Sequence, residues 1–344
     1  MNFFSQSVWA ALGTIVLSAS LTFGLVKVSQ QIQKRRHPEA VMKVPELGGI
    51  AIFISFWAGF FMLFPTLLFN SSQWSIFIAS GVILLTGILD DRYVLKPYQK
   101  SLGILLAANI IYFSAGIEFS SALLPEIQPQ VFEVVSYCLT VTWIYFVSNA
   151  INLLDGMDGL ASSVSLTSLL TLAITTYFFS LSVRMALLLM LILLAAAILG
   201  FLPFNWHPAQ IYLGDTGALF IGFMYATLTV SNLKNATFFS LIVPIVVYMV
   251  PLFDTSYAIF RRFMSGQSIV SRDEDHIHHR LLRIGLSETQ VVLLMIGIAL
   301  VFSGLAVLSH LFPASRYYIL VIMLIIVSAM FFAMYKLSDR SKKD

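Results

Sequence analysis

Asn149 to Ala161 reads NAINLLDGMDGLA and sets Asn149, Asn152, Asp155 and Asp158 at three-residue steps, beside Gly156 and Gly159, directly after an apolar run. Steps of three keep the four polar side chains roughly on one side of a helical or 3-10 segment. The helix is expected to fray near Asn152, and the two glycines allow a tight turn, so that Asn152 and Asp155 reach one ligand together. An amide and a carboxylate coordinate magnesium or read a nucleobase and ribose. A capping turn accounts for one aspartate but hardly for all four positions. Carboxylates at the mouth of an apolar helix need a reason to be there, and chemistry on a phosphorylated, metal-bound substrate at a membrane face supplies one.

Four other clusters share this character. In GILDDRYVLKPYQK, adjacent Asp90 and Asp91 cannot both ionise cheaply without a cation nearby, and Lys96 and Lys100 follow, with Pro97 bending the connector. Such a set suits magnesium and phosphate, since hard cations take oxygen ligands; one carboxylate can instead act as a base or orient a nucleophile. In NWHPAQIYLGDTGALF, Gly214-Asp215 places a carboxylate on a flexible turn near helix N-terminal amides, which favour anionic ligands. Asp215 is therefore the leading metal-ligand candidate. Tyr212 either stacks on a base or anchors the chain at the interface. In SRDEDHIHHRLLRIG, His276, His278 and His279 lie among Arg272, Arg280 and Arg283. With no cysteine in support, this set fits phosphate binding better than zinc, and a solvated basic face is the plain alternative. In KVPELGGIAIF, Lys43 can meet a phosphate or a carbonyl, while Gly48 and Gly49 permit close backbone approach.

The elements that must position these groups are membrane helices. The 344-residue chain is 58% hydrophobic and 11% charged, where a soluble domain has about a quarter charged residues, and its mean hydropathy is +0.88. Continuous rather than alternating apolar runs exclude a lipid-facing barrel and predict an all-α, polytopic transmembrane bundle, a single membrane-embedded domain over 1–344. Spans are expected near 8–26, 47–69, 74–90, 101–117, 132–150, 163–180, 184–203, 217–233, 238–258, 289–311 and 317–335, about eleven in all. Alternate connectors then hold 17 of the 20 basic residues, against 3 (Arg184, Lys234 and Arg316) on the other side. The positive-inside rule puts the N-terminus outside and the C-terminus in the cytoplasm. The polar clusters all fall on that cytoplasmic side, although the topology came from Lys and Arg alone.

Several function classes recede. The net charge of +3 is spread over juxtamembrane connectors, so nucleic acid is not an expected partner. The first apolar run lacks a basic leading segment, which suits an uncleaved span better than a signal peptide. Cys138 is alone, so disulfides play no part. A transporter would place ionisable groups near the midplane, and these span centres are nearly free of charge. Pro244 and Pro251 predict a kink in the ninth span.

Taken together and in this order, the clusters resemble the polyprenyl-phosphate N-acetylhexosamine-1-phosphate transferases, from PELGG at Pro45 to HIHHR at Arg280. The resemblance implies a membrane enzyme with a cytoplasmic magnesium site (manganese is the other ion it admits) that moves a sugar 1-phosphate from a UDP-sugar to a polyprenyl phosphate and releases UMP. By position, Asp215 would bind the metal with Asn152. Asp90 and Asp91 would lie beside the polyprenyl phosphate, one of them as base or orienting group, and Asp155 and Asp158 complete the expected catalytic set. Lys43, Lys100, Asn149, Asn152, Asp155 and Tyr212 would surround the nucleotide, and His276, His278, His279 and Arg280 the phosphates or the sugar.

The peptidoglycan branch of the family, which transfers phospho-MurNAc-pentapeptide, has HHHFE at the His motif. HIHHRLLRIGLS is instead similar to the branch that uses UDP-GlcNAc for teichoic acid, O-antigen or common-antigen linkage units. The expected function is transfer of N-acetylglucosamine 1-phosphate from UDP-GlcNAc to undecaprenyl phosphate in a bacterial cytoplasmic membrane. Rival readings are the pentapeptide transferase and a lipid or nucleotide-sugar transporter. A homodimer is left open. Ala218 departs from the family's usual Ser in GDxGS.

Overall fold

The computed structural model describes residues 3–36, 43–63, 71–120, 128–179, 185–232, 245, 249–264 and 277–340. They form twelve α-helices: α1 Phe3–Arg36, α2 Gly48–Leu63, α3 Ser71–Tyr93, α4 Pro97–Phe113, α5 Pro129–Leu154, α6 Leu160–Phe179, α7 Met185–Asn205, α8 Gly214–Asn232, α9 Met249–Met264, α10 Ile277–Arg283, α11 Glu288–Leu311 and α12 Arg316–Arg340. Among the described residues there is no strand, only an isolated parallel bridge between Glu46 and Tyr212. In hydrocarbon every backbone N–H and C=O must be paired within its own segment, which is why apolar runs of this length become helices.

Six of these helices are long and apolar enough to cross a membrane, and Gly48–Leu63 and Arg316–Met330 are shorter apolar helices. The protein is thus a multi-pass helical membrane protein. Every expected span falls at least partly on a described helix. The ninth does so only from residue 249, apart from residue 245, and Pro244 lies outside the described residues. Large apolar side chains such as Leu85, Leu106, Leu293, Leu300 and Leu324 are exposed on the outer helix faces, as lipid contact requires.

The bundle is built around α8. Every residue from Thr216 to Val230 is buried, and α2, α3, α5, α6 and α7 pack against it. A helix enclosed by protein need not be the most hydrophobic one, so α8 tolerates threonines and glycines that a lipid-facing helix of its length would not favour. α1 closes over α2 and α7, and α11 covers α6.

Close packing at the polar end of α8 depends on absent side chains. A Cβ on Gly49 would overlap the backbone of Gly217, and one on Gly87 would overlap the backbone of Thr216. Without lipid-exclusion energy to drive helices together, such close approach supplies the dispersion contacts that hold them. Gly81, earlier on α3 than Gly87, has nothing within 4 Å of its Cβ direction. We therefore expect Gly87→Ala to lower the thermal midpoint in detergent, at a cost of about 1–3 kcal/mol for overpacking, while Gly81→Ala leaves it unchanged or raises it.

Candidate active site

Four helix ends meet at the ammonium group of Lys100. Asp90 closes α3, and Lys100 lies in the first turn of α4, after a three-residue connector. That connector is held tightly: Val94 N–H donates to Asp90 O at 2.8 Å, and Leu95 N–H donates to the Asp90 carboxylate at 2.8 Å. Val94 adopts φ +50°, a left-handed conformation that a β-branched residue takes only under constraint. Pro97 opens α4, and Lys96 N–H donates to Gln99 Oε1 at 2.9 Å, which aims the first turn of the helix.

Lys100 Nζ then lies 2.7 Å from Asp90 Oδ2 and 3.1 Å from Asp215 Oδ1, and it donates to Asn152 Oδ1 at 2.7 Å. The Asn152 amide in turn donates to Asp215 Oδ1. Three oxygens from α3, α5 and α8 thus converge on one cation supplied by α4. Asp90 is buried and a third of the Asp215 side chain is exposed, so the group is open on one side only.

Asp91 does something different from its neighbour. Its carboxylate accepts the Asp215 N–H at 2.7 Å, the Thr216 N–H at 3.1 Å and the Thr216 hydroxyl at 2.5 Å. It therefore caps the N-terminus of α8 from another helix, satisfying amides that have no partner inside α8 and meeting the positive end of its dipole. Gly214, at φ +70°, is required twice over: the conformation disfavours other residues, and a Cβ would come within 2.9 Å of the Asp91 carboxylate. Thr216, which sequence reasoning passed over, is the second half of this cap; its signal was a hydroxyl residue directly after Asp215 at a helix start.

The Asn/Asp stripe does not act as one face. α5 continues to Leu154 instead of fraying at Asn152, and Asp155 N–H donates back to Ile151 O at 3.1 Å. Asn152 faces the Lys100 group, whereas the Asn149 amide donates to Tyr145 O at 2.8 Å within its own helix. Asp155 follows the last helical residue. Burial raises its carboxyl well above the usual range, and Asp215, Asp91, Glu46 and Asp158 push it further. Within the Gly156–Gly159 turn, Asp158 accepts the Ala209 N–H at 3.0 Å and lies 2.9 Å from His207 Nδ1.

The remaining expected residues are placed around this core. Tyr212 N–H donates to Pro45 O at 2.9 Å, and Gly48 N–H donates to Tyr212 O at 3.0 Å, so the PELGG segment is stitched to the strand-like approach to Asp215. Tyr212 keeps its ring partly exposed, and its phenol is raised by burial and by Asp158, Glu288 and Glu46. Lys43 is exposed; its backbone is fixed by Gln33 through two bonds of 2.9 Å. Arg280 is buried, with its guanidinium 5.2 Å from the Tyr257 ring centroid and donating to the Tyr257 hydroxyl at 3.3 Å. His276 lies outside the described residues, and His278 and His279 are described only as backbone of α10.

A cluster of shielded carboxylates about a lysine, at the ends of four helices, is suited to binding a polyanion and a divalent cation together. Residues 73–232, from α3 to α8, match the family model described as glycosyl transferase family 4. The chain is 39% identical over 293 residues, 84% of its own length and 78% of the other, to a protein of Bacillus subtilis (strain 168) named probable undecaprenyl-phosphate N-acetylglucosaminyl 1-phosphate transferase. It is 31% identical, over 74% of its length and 70% of the other, to the decaprenyl-phosphate N-acetylglucosaminephosphotransferase of Mycobacterium leprae (strain TN). To the undecaprenyl-phosphate alpha-N-acetylglucosaminyl 1-phosphate transferase of Escherichia coli (strain K12) it is 26% identical, over 78% and 74%.

The cap on α8 is open to test by stability alone. Thr216→Val keeps the side-chain shape and removes one hydrogen bond to a charged acceptor, worth about 1.5–3 kcal/mol when buried. Denaturation in detergent should show a lower midpoint for Thr216→Val and a larger loss for Asp91→Ala, which leaves the α8 amides without their acceptor.

Proposed function

The chain belongs to glycosyl transferase family 4, and from that premise we propose that it transfers N-acetylglucosamine 1-phosphate from UDP-GlcNAc to undecaprenyl phosphate, releasing UMP. The product is the first lipid-linked intermediate of a cell-envelope polysaccharide. The observation that carries this reading is the convergence of Asp90, Asn152 and Asp215 on Lys100, within a chain whose relatives bear the names of such transferases.

The reaction is a direct displacement. An oxygen of the lipid phosphate forms a bond to the β-phosphorus of UDP-GlcNAc, the bond from that phosphorus to the bridging oxygen breaks, and the electron pair leaves on UMP. The clusters offer no Ser/His/Asp or cysteine arrangement that would favour a covalent intermediate. Lys100 supplies fixed positive charge at the carboxylate cluster, suited to meeting the phosphates. Asp90, fixed by the Leu95 amide and by Lys100, orients the incoming lipid phosphate, which needs little deprotonation near neutral pH. Asp91 keeps Asp215 in place by capping α8. Tyr212, Asp155 and Lys43 are assigned to the nucleotide, and the residues of the His motif are assigned, on the sequence motif, to the phosphates or the sugar.

The donor set also fits a magnesium ion, with manganese as the alternative, because its converging oxygens are hard ligands already gathered about a positive charge. Asp215 and Asn152 would hold the ion, which neutralises the diphosphate and the leaving group. We further propose about eleven spans, an outside N-terminus and a cytoplasmic active site, supported by the charge asymmetry of the connectors.

Purified protein with magnesium, undecaprenyl phosphate and UDP-GlcNAc should release UMP and form the lipid product, with UDP-MurNAc-pentapeptide inactive. Asp215→Ala and Lys100→Ala should lower turnover at least about 100-fold, as loss of a preorganised electrostatic group does. No UMP from either donor would sink the proposal, and product from the pentapeptide donor alone would move it to the peptidoglycan branch. For the topology, a reporter fused after Asp344 should be active only in its cytoplasm-dependent form.

A further inference from the structure

Three ionisable side chains outside the Lys100 group meet at one point. His207 lies in the connector after α7, Asp158 in the turn between α5 and α6, and Glu288 opens α11. His207 Nδ1 is 2.9 Å from Asp158 Oδ2 and 3.0 Å from Glu288 Oε2, and the three ligand atoms all lie within 4.8 Å of one another. One ring nitrogen carries at most one proton, so it cannot give two carboxylates a full hydrogen bond each. Among the described residues no Lys or Arg pairs with Asp158 or Glu288. The set therefore holds two negative charges against a neutral imidazole, or one against a protonated imidazole.

We propose that Asp158, His207 and Glu288 form a second cation site, separate from the Lys100 group, that takes a borderline transition ion such as zinc. One imidazole nitrogen and two carboxylate oxygens are a three-ligand set that leaves a coordination position open. The ion takes the place of the proton on Nδ1 and cancels the excess negative charge. Magnesium is a poor occupant, because it prefers an octahedron of oxygens and keeps its water. The Asp158 oxygen is already oriented by the Ala209 N–H, the kind of outer bond that fixes a ligating carboxylate. The His207 and Glu288 side chains are 41% and 45% exposed, so an ion reaches them from water.

Occupation has a mechanical consequence. Asp158 stands four residues after Leu154, the last residue of the helix that carries Asn152, and Glu288 begins the helix that follows α10 and its Arg280. An ion shared by both would clamp the α5–α6 turn to the start of α11 and fix one rim of the candidate active site.

The test reads binding, not turnover, so its failure is distinguishable from failure of the proposed reaction. Tag-free protein in excess magnesium is titrated with zinc by calorimetry and followed by thermal unfolding. Wild type should bind zinc and gain midpoint, and His207→Gln and Glu288→Gln should each weaken binding at least tenfold and lose the gain. Cobalt substituted into the wild type should give visible d–d absorption, which the His207→Gln variant lacks; this arm does not depend on every variant folding. Equal zinc affinity in wild type and in the double variant would overturn the proposal. So would zinc binding that survives His207→Gln and is lost on substituting His276, His278 and His279.

Discussion

Carboxylates that leave bulk water must be given a cation, and the architecture of this protein follows from that requirement. Asp90 is buried and Asp215 half-shielded, and both are held by one ammonium that reaches them from a fourth helix. A buried ion pair is seldom a source of net stability, but removing one partner is strongly destabilising, because the remaining charge has nowhere to go. The helix ends around Lys100 are therefore fixed relative to one another by electrostatic necessity as well as by close packing. On the proposed reading, a phosphorylated ligand bound there would exchange one set of charge pairs for another.

The apolar scaffold makes that exchange possible by bringing backbones close together at one end only. Gly49, Gly87 and Gly217 let α2 and α3 press against the first turn of α8, so that Asp91 reaches across to cap it. The cap and the contact reinforce one another: without the missing side chains the carboxylate could not arrive, and without the carboxylate the α8 amides would be buried unpaired. The strained Val94 turn belongs to the same economy of space. It lets α3 and α4 reverse direction within three residues while Asp90 and Lys100 stay in contact.

Much of this was legible in the sequence. Continuous apolar runs give helices because lipid offers the backbone no other partner, and every expected span lies at least partly on a helix. The acidic motifs stood out because charge is rare in this chain, and Asp90, Asn152 and Asp215 do meet. What the sequence could not supply was the division of labour within each motif. Asp90 and Asp91 are neighbours in the chain, yet a helix turns consecutive side chains about 100° apart, so one meets Lys100 and the other meets α8. The three-residue stripe suggested one polar face, but the helix ends at Leu154, and beyond that point spacing no longer sets direction. Lys100 stood out beside the acidic pair, as Lys96 did, but its central place depends on Pro97 and the Gln99 contact that open α4. His207 and Glu288 carried no local signal at all, since their meeting with Asp158 depends on three separate connectors.

The Asp91 cap also bears on how the protein is made. Its partner amides lie 124 and 125 residues further along the chain, and Lys100 must wait for Asn152 and Asp215 as well. At ordinary rates of synthesis that is a delay of roughly ten seconds. Through that interval Asp90 has Lys100 and the Leu95 amide close by in the chain, but Asp91 stands at the mouth of α3 with no α8 to receive it. Water must serve as its partner, which requires that end of α3 to remain at the interface until α8 arrives. The placement of the acidic pair at a helix terminus, rather than a turn deeper, is thus a condition for assembling the site as well as for using it.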